Sequence, residues 1–508
     1  MPTMGRSLRC ALFAAAIAAV MTLAPRVYGQ ISQISAGDAE LQYQLANLLI
    51  EETRYDEALQ AYDRASQSAD PGIALRARKG KVKTALRMAE FELALSESER
   101  ITTDAPSDAE ALSLHGDSLW AAGLFDESDA LYGRALAVDP ESSRGQFGLA
   151  RSLATRNRLD EALEQAHKAL AVSPRDGEIH HAIGDIYERQ HKFDEAANAY
   201  NNFINLLPNK DRSEKAAWSR AQVRFLEAFA GRIPVEIDEL DNKMLHTVPF
   251  RLVRDKIVVQ ARVNGGGPQD FVLDTGSEET VISGDTARRA NVRPITYTLS
   301  AGVGEVGLRG LQLARLDALE IGTLQVRNLP VLIKNPALQG IPTREGEGFS
   351  PLSLGMSMTI DYRQRLLTIG RDLPLRTTDI RLPMRVHRLA MVRGVLNSTQ
   401  PAYFVVDTGG EVISISADTA NSLEKSQYRR IPLRVYGTSG WDRDAFLLPG
   451  VNLDFDRISY RNFPLVVLNL RAPSVLLGFQ LGGIVGHKFL ANYRVTMDMA
   501  RSELRLEE

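Results

Sequence analysis

A short stretch that occurs twice in the second half of the chain constrains its fold more than any other feature. The first copy is Phe271-Val272-Leu273-Asp274-Thr275-Gly276-Ser277, and the second is Phe404-Val405-Val406-Asp407-Thr408-Gly409-Gly410. In each copy an apolar run of strand-forming residues leads one carboxylate into a tight turn made by Thr and Gly. A second apolar run follows each turn, and then the sequence Asp-Thr-Ala, at residues 285–287 and 418–420. One Asp-Thr-Gly is a common turn sequence, but two copies with matched flanks predict two related β lobes.

The two stretches resemble the active-site turns of aspartic proteases, in particular the retropepsin-like kind with two Asp-Thr-Gly lobes. The resemblance covers about the last half of the chain. It implies an all-β fold in which each lobe supplies one catalytic aspartate, Asp274 and Asp407, and the two meet where the lobes meet. It also implies that the active-site turns consist of Thr275, Gly276, Ser277, Thr408, Gly409 and Gly410.

Two carboxylates held about 3 Å apart do not both ionise easily, so such a pair shares one proton. The ionised carboxylate can take a proton from water, and the protonated one can donate to the carbonyl of the scissile peptide bond. This reaction needs no covalent nucleophile and no cofactor. In the first half of the chain, His167, His180, His181 and His191 lack a metal-site spacing with acids or cysteine. The resemblance therefore implies an aspartic-type endopeptidase, a hydrolase acting on peptide bonds, with no metal.

Two positions depart from the pattern of the family. The second lobe closes with Ile484-Val485-Gly486, which resembles the family's strand beneath the catalytic turn. The first lobe has Ser350-Pro351 in place of the apolar-Gly step, which predicts weaker support beneath Asp274. Gly410 stands where the family usually has Ser, Thr or Ala, which predicts the loss of a hydrogen bond to the catalytic pair.

Each lobe also has a glycine-bearing stretch between strand-like runs, at residues 302–307 and 436–441. By resemblance to the family, these are candidate flap hairpins that cover a bound peptide. Plain loops are the alternative interpretation, because glycine marks turns of every kind. The candidate flap residues are Gly302, Gly304, Tyr436, Gly437 and Trp441.

The first half of the chain repeats itself every 34 residues. Pro106, Pro140, Pro174 and Pro208 mark the period, and an Asp-Glu pair recurs at one place within the unit. The period and the helix-turn-helix unit resemble the tetratricopeptide repeat. The proline closes each unit because it cannot continue a helix, and the acidic pair suits the first turn of a helix. We expect about five repeats and a capping helix that begins near Asp211.

Stacked helical repeats perform no chemistry, and their concave surface typically binds a peptide or a protein partner. A spacer or scaffold is the alternative role. The formal net charge of −3 gives no electrostatic reason to expect nucleic acid or an anionic membrane as a partner.

The first residues are typical of a secretory signal peptide. Arg6 and Arg9 precede an apolar run from Ala11 to Leu23, and small residues follow near Gly29. The run is too short for a comfortable membrane span of about 20 residues, although an uncleaved anchor is the alternative. We expect cleavage near residue 29, no stable membrane span afterwards, and export to the periplasm or the medium. Cysteine occurs once, within this segment, so no thiol chemistry is expected in the mature chain.

The sequence therefore predicts an exported aspartic endopeptidase whose repeats bind a substrate or a partner protein. The alternative is a non-catalytic peptide- or protein-binding module with a degenerate protease fold. Pairing of each lobe with its twin in another chain is a third possibility, which covalent linkage of the lobes disfavours. The expected segments are a signal peptide at 1–29, an all-α solenoid at 36–231, a linker at 232–247, lobe 1 at 248–371 and lobe 2 at 378–508.

Overall fold

The computed structural model of the 508-residue chain describes residues 34–209, 214–238, 244–304, 308–334, 347–377, 380–423 and 429–508. An α solenoid comes first and a β-rich region with two lobes follows, which confirms the predicted fold class. The predicted signal peptide and Asp211, where the capping helix was expected to begin, lie outside the described residues. No helix within the described ranges is long and apolar enough to cross a membrane.

The solenoid consists of helix pairs followed by one further helix. In the pairs α5/α6 and α9/α10 a glycine of the first helix lies beneath a tyrosine ring of the second. A Cβ added to Gly116 would come within 2.6 Å of the Tyr132 ring, and one added to Gly184 within 2.7 Å of the Tyr200 ring. The repeated tyrosines are therefore packing residues. The helices are α1 Ala36–Glu51, α2 Tyr55–Ala65, α3 Pro71–Arg87, α4 Phe91–Asp104, α5 Ala109–Ala121, α6 Phe125–Val138, α7 Ser143–Thr155, α8 Leu159–Val172, α9 Gly177–Arg189, α10 Phe193–Leu206 and α11 Glu214–Glu227.

The sequence starts the two helices of a pair differently. The first helix begins at a capping side chain that accepts a backbone N–H, as Asp108 does for α5 and Asp176 for α9. The second helix lacks a side-chain cap and instead begins with the recurring acidic pair, such as Asp126 and Glu127 in α6. Negative charge in the first turn favours the helix through its dipole, so the repeated Asp-Glu has a structural role.

Lobe 1 is a sheet in the order β1-β9-β6-β10-β5-β4-β8-β7, with β3 paired to β4. Residues 232–247, predicted as a linker, contribute β1, which pairs with β9, and the start of β2. The elements are β1 Glu236–Ile237, β2 His246–Pro249, β3 Arg251–Val253, β4 Lys256–Val263, β5 Gln269–Leu273, β6 Thr280–Ile282, α12 Gly284–Arg289, β7 Pro294–Ala301, β8 Leu308–Ile321, β9 Leu324–Ile333, β10 Glu347–Phe349, β11 Ser357–Asp361 and β12 Leu366–Gly370.

Lobe 2 repeats the central order of lobe 1. Strands β21-β16-β22-β15-β14 follow one another as β9-β6-β10-β5-β4 do. The elements are β13 Ile380–His387, β14 Leu389–Leu396, β15 Gln400–Val406, β16 Ser414–Ser416, α13 Ala417–Ser422, β17 Ile431–Pro432, β18 Val435–Gly437, β19 Gly440–Asp442, β20 Phe446–Phe455, β21 Ile458–Leu468, α14 Arg471–Leu477, β22 Gly483–Val485, α15 His487–Leu490, β23 Arg494–Asp498 and β24 Glu503–Glu507.

A sheet shared by the lobes joins them into one body. Its strands run β13-β24-β23-β11-β12-β2, so each lobe supplies three. Strands β11 and β23 pair antiparallel at the centre, with Thr359 opposite Thr496 and their hydroxyls 2.9 Å apart. One buried apolar core continues through both lobes. The two Asp-Thr-Gly turns therefore face each other within a single chain.

The solenoid packs against both lobes. Trp120 and Phe125 enter an apolar cluster of lobe 2, where the Phe125 ring lies 4.8 Å from that of Tyr403. Arg385 of β13, only 3% exposed, donates to carboxylates of α6, Asp126 and Asp129, at 2.6 Å each.

At the other end of the solenoid, Phe225 and Phe229 lie in one buried cluster with Val281, Leu313 and Leu332 of lobe 1. These contacts hold the first helices of the pairs over the cleft between the lobes.

Candidate active site

The two aspartates occupy equivalent places at the ends of equivalent strands. Strand β10 lies parallel to β5 beneath Asp274, and β22 lies parallel to β15 beneath Asp407. The backbone N–H of Asp274 donates to the carbonyl of Phe349 at 2.9 Å, and that of Asp407 to the carbonyl of Val485 at 3.0 Å. The weaker support predicted from Ser350-Pro351 is therefore wrong, because the bond that holds the aspartate is made one residue earlier.

The threonines after the aspartates hold the two turns together. The hydroxyl of Thr275 donates to the carbonyl of Val406 at 2.6 Å and accepts the backbone N–H of Thr408 at 3.0 Å. The hydroxyl of Thr408 donates to the carbonyl of Leu273 at 2.7 Å and accepts the backbone N–H of Thr275 at 3.1 Å. Both threonines are buried, so these four bonds lock the lobes together beneath the carboxylates.

The glycines allow the carboxylates to reach across the lobe boundary. A Cβ added to Gly276 would lie 2.5–2.7 Å from the carboxyl atoms of Asp407, and one added to Gly409 would lie 2.5 Å from Oδ1 of Asp274. Each aspartate also accepts a backbone N–H of its own turn, from Gly276 at 3.1 Å and from Gly409 at 2.7 Å. Only a glycine fits at these two positions while the carboxylates stay where they are.

Burial raises the pKa of both carboxyl groups, and the charge of Asp407 raises that of Asp274 further. Burial in the cleft and the charge of Asp407 raise the pKa of Asp274 to about 7, against the pull of Lys334 and Lys256. Burial also raises the pKa of Asp407, but the N–H groups of Gly410 and Gly409 oppose that rise because they favour its ionised form. The pair therefore retains a proton across the mildly acidic range, which suits general acid–base chemistry.

Each lobe places a cation on the active-site turn of the other. Lys256, at the tip of the β3–β4 hairpin, donates to the carbonyl of Gly409. Arg388, at the tip of the β13–β14 hairpin, pairs with Glu278 just after the first Asp-Thr-Gly. Sequence reasoning missed both residues. The available signal was a basic residue at nearly the same distance before each Asp-Thr-Gly. Lys256 is the first residue of β4 and Arg388 directly precedes β14, and the next strand after each of these ends at the aspartate.

The fourth residues of the two turns differ, but not as expected. The hydroxyl of Ser277 donates to the carbonyl of Glu279 at 2.8 Å and not to the aspartates. In lobe 1 the Ser277 side chain makes no hydrogen bond to the aspartates, so the glycine at position 410 does not cost lobe 2 such a bond.

The candidate flap residues lie at two hairpin tips that touch each other. Gly302 and Gly304 follow β7, and the backbone N–H of Ser439, between β18 and β19, donates to the carbonyl of Val303 at 2.9 Å. Gly437 also lies against Val303, since a Cβ added to this glycine would come within 2.6 Å of the Val303 Cβ. Residues 305–307 of the first stretch lie outside the described residues.

In the second hairpin the rings of Tyr436 and Trp441 stand opposite each other across β18 and β19, 5.2 Å apart. Residues of both hairpins line the cavity that holds the aspartates. Their role as flaps stays a prediction.

One cavity of about 2460 Å³ contains the aspartates, both hairpin tips and the inner face of the solenoid. The solenoid side is lined by the first helix of successive pairs, for example by Arg87 of α3, Arg151 of α7 and Glu188 of α9. The helical repeats thus form a wall of the cleft. Within the described residues, no group of three or more His, Cys, Asp or Glu is arranged to hold a metal ion.

Family models match both parts of the chain. A model described as aspartyl protease matches residues 259–358, which include Asp274 and end before Asp407. Tetratricopeptide repeat models match residues 39–69, 113–178 and 156–209. The chain carries an aspartyl protease domain beside tetratricopeptide repeats.

Several similar proteins carry tetratricopeptide repeats. The TPR repeat-containing thioredoxin TTL4 of Arabidopsis thaliana is 31% identical over 83 residues, 16% of this chain. The chain spans about an eighth of that relative, 12% of its length. TTC0263, a thermophilic TPR protein of Thermus thermophilus, is 18% identical with a TM-score of 0.31, covering 36% of this chain and 98% of its own. YrrB, a TPR protein with an unusual peptide-binding site, is 18% identical with a TM-score of 0.22, covering 41% and 97%.

Proposed function

We propose that the protein is an exported aspartic endopeptidase that hydrolyses peptide bonds through a water activated by Asp274 and Asp407. The observation that carries the proposal is the juxtaposition of the two carboxyl groups, each of which would collide with a Cβ on the glycine of the opposite turn. The aspartyl protease model over residues 259–358 supports the same chemistry.

The reaction requires one proton shared between the two carboxyl groups. Asp407, whose ionised form the N–H groups of Gly409 and Gly410 favour, takes a proton from water as the water oxygen attacks the scissile carbonyl. Asp274, which burial and repulsion keep protonated up to about pH 7, donates its proton to the carbonyl oxygen. When the tetrahedral intermediate collapses, Asp274 takes back a proton from one of its hydroxyls as the C=O bond forms. The C–N bond breaks, and the amine leaves with the proton that Asp407 received. The two carboxyl groups titrate as a pair.

The remaining parts of the proposal concern the solenoid and the location. We propose that the repeats bind the substrate or a partner protein, since their inner helices line the cavity that contains the aspartates. We also propose export, on the pattern of residues 1–29. Retention of those residues in the purified native protein, read by N-terminal sequencing, would contradict a cleaved signal.

A peptide-library digest across pH tests the catalytic proposal. The wild-type chain should cleave, and Asp274→Asn and Asp407→Asn should each lower kcat/KM by a factor of about 10³ or more, because neither carboxyl group can act alone. Asp456→Asn is the matched control, since Asp456 lies exposed in the turn between β20 and β21. It should cleave like the wild type.

A different result would favour the binding module. If the wild-type chain cleaves no peptide at any pH, and binds peptides equally well when either aspartate is replaced, the endopeptidase proposal fails. Loss of cleavage in only one of the two variants would contradict a shared pair.

A further inference from the structure

The inner face of the solenoid carries a cluster of positive side chains, here called the cationic patch. It consists of Arg87 on α3, Arg144 and Arg151 on α7, and Lys215 on α11, all of which line the cavity that holds the aspartates. The four belong to three different helices, so only the curvature of the solenoid brings them together. The sequence pattern alone could not have grouped them.

The patch contains more positive than negative charge. Two carboxylates of the same cavity wall face it, Asp117 on α5 and Glu178 on α9. Asp117, 3% exposed, pairs with both Arg144 and Arg151. Burial acts to raise the pKa of Glu178, yet the charges of Arg144, Lys215, Arg87 and Arg151 lower it. A nearby third carboxylate, Asp176, accepts the backbone N–H of Glu178 as the cap of α9 and does not line the cavity.

Two of the four cations have no carboxylate partner of their own. Among the described residues Arg87 and Lys215 form no ion pair, and each lies near an aromatic ring: Arg87 5.9 Å from Tyr55, and Lys215 5.2 Å from Phe203. Both side chains are exposed to the cavity. They are therefore available to an anionic ligand, while Arg144 and Arg151 are already oriented by Asp117.

A continuous wall connects the patch with the catalytic turn. Lys215 lies in the first turn of α11, and Gln222 lies two turns further along, about 10 Å away at 1.5 Å per residue. Gln222 donates to Glu188 of α9 at 2.5 Å. The charge of Glu188 in turn acts on Glu279, five residues after Asp274. A chain that leaves the cleft beside Glu279 therefore meets α9 and α11 before it reaches the patch.

We propose that the cationic patch binds an acidic segment of the substrate chain, several residues away from the peptide bond that is cleaved. The inference rests on the proposed endopeptidase function and assigns a substrate class to it. Arg87 and Lys215 are exposed to the cavity, so they can pair with carboxylates of a bound chain, and the positive charge of the patch also speeds the encounter with an acidic chain.

The wall between the patch and the aspartates sets the position of that segment. Asp185, Glu188, Glu278 and Glu279 lie there with Arg388 as their cationic neighbour. Burial already raises the pKa of Glu188 to about 7 and that of Glu279 well above its ordinary value, so this wall disfavours further negative charge next to the cleaved bond. The preferred substrate therefore has neutral or basic residues near the bond and acidic residues further along.

Matched peptides test the proposal. Each peptide has the same cleavable core and carries three Glu, three Gln or three Lys, placed either before or after the core. The three residues stand about four to twelve residues from the cleaved bond, a distance of about 13–40 Å in an extended chain. For the wild type, kcat/KM should be about tenfold higher for the Glu peptide than for the Gln peptide. This difference should appear only when the flank lies on one side of the cleaved bond and within one range of spacings. The gain should appear in KM, and about 0.5 M salt should largely remove it, because it shortens the Debye length to a few ångströms.

Charge reversal assigns the effect to the patch. In Arg87→Glu and Lys215→Glu, the ratio of kcat/KM for the Glu peptide over the Gln peptide should fall to about one or below. Arg134→Glu on α6 is the matched control, since Arg134 is exposed, lies outside the cavity lining and forms no ion pair among the described residues. It should keep the wild-type ratio. An equal effect of all three variants would overturn the proposal, as would equal cleavage of the Glu and Gln peptides by the wild type.

A binding measurement separates this inference from the proposed function. Fluorescently labelled Glu and Gln peptides are titrated with Asp274→Asn, alone and combined with Arg87→Glu or Lys215→Glu, and anisotropy gives Kd. Preference for the Glu peptide that disappears in the combined variants supports the patch even when the wild type cleaves nothing. Cleavage of the Gln peptide without any preference in Kd leaves the endopeptidase intact and refutes the patch.

Discussion

Around the aspartates, lobe 1 and lobe 2 place equivalent atoms at nearly equal distances. The threonine hydroxyls donate across the lobe boundary at 2.6 and 2.7 Å, and the aspartate N–H groups donate to the strands beneath at 2.9 and 3.0 Å. The short helices after the turns also begin alike, since Ser283 and Ser416 each accept the N–H of the threonine three residues later. The lobes therefore agree in the threonine and backbone contacts beneath the carboxyl groups.

Further from the aspartates the lobes differ. In lobe 1 the buried Glu347 accepts hydrogen bonds from the backbone N–H and hydroxyl of Ser283 and from Thr286, whereas lobe 2 has Gly483 at the equivalent place. The lobe 1 turn faces helix α9, whereas Glu411 of the lobe 2 turn is exposed. Paired contacts across the boundary constrain both lobes at once, while contacts outside it constrain only one lobe. The cleft is consequently symmetric at its centre and asymmetric at its ends.

The largest expected effect comes from breaking the symmetric centre. Thr275→Val and Thr408→Val should each lower the free energy of unfolding by about 2–4 kcal/mol, because each leaves a buried carbonyl and a buried N–H unpaired. Each should also lower kcat/KM at least a hundredfold by loosening the aspartates. Urea unfolding and peptide cleavage measure the two effects.

Thr399→Val serves as the control, since this threonine is exposed in the turn between β14 and β15. It should change stability by less than about 0.5 kcal/mol. Clearly unequal effects of Thr275→Val and Thr408→Val would show that the lobes do not share the central network equally.

Local patterns made much of this arrangement predictable. The 34-residue period gives helix pairs because each unit has its own helix start signals and small residues where its helices pack. Each Asp-Thr-Gly turn likewise follows from its own strand. Contacts between distant segments were not predictable in that way. Ser350-Pro351 looked like a defect, although the carbonyl that supports Asp274 belongs to Phe349. The stretch expected to be a linker holds β1, because Glu236 pairs with Arg327 of a strand far along the chain.

The position of the solenoid was the largest omission. Nothing in the repeats indicates that their inner helices face the aspartates, because that arrangement depends on Arg385 and on the apolar clusters at both ends of the solenoid. The cations on the opposing turns, Lys256 and Arg388, were missed for the same reason. Each acts on a residue of the other lobe, and a single sequence does not show which residues meet.

A smaller effect should distinguish the two aspartates by their dependence on pH. The pKa of Asp274 is higher in the folded protein than in the unfolded chain. The free energy of unfolding is therefore unaffected by Asp274 below about pH 4, and it falls as pH rises from there through about 7. Asp274→Asn does not suffer that loss. At pH 8 its free energy of unfolding should be higher than that of the wild type by about 2 kcal/mol, and the difference should vanish near pH 4.

Asp407→Asn should gain less at pH 8, since the N–H groups of Gly409 and Gly410 already stabilise the ionised form of Asp407. Urea unfolding of both variants at about pH 4.5 and pH 8 makes the comparison. An equal gain in both would mean that these N–H groups do not distinguish the lobes. A gain that is larger at the lower pH would reverse the assigned direction of the pKa shift.

The smallest expected effect comes from exchanging the fourth residues of the turns, Ser277→Gly and Gly410→Ser. A Cβ at residue 410 would lie 2.9 Å from Oδ2 of Asp407, so Gly410→Ser should displace that carboxyl group and lower kcat/KM about three- to tenfold. The free energy of unfolding should change by less than about 1 kcal/mol, because the carboxyl group is the end of a side chain that faces a cavity. Ser277→Gly removes only the bond to the carbonyl of Glu279 and should alter kcat/KM less than Gly410→Ser does. A rise in activity on Gly410→Ser would instead mean that the second lobe lacks a hydroxyl that the aspartates can use, and that the difference between the turns is a deficiency of lobe 2.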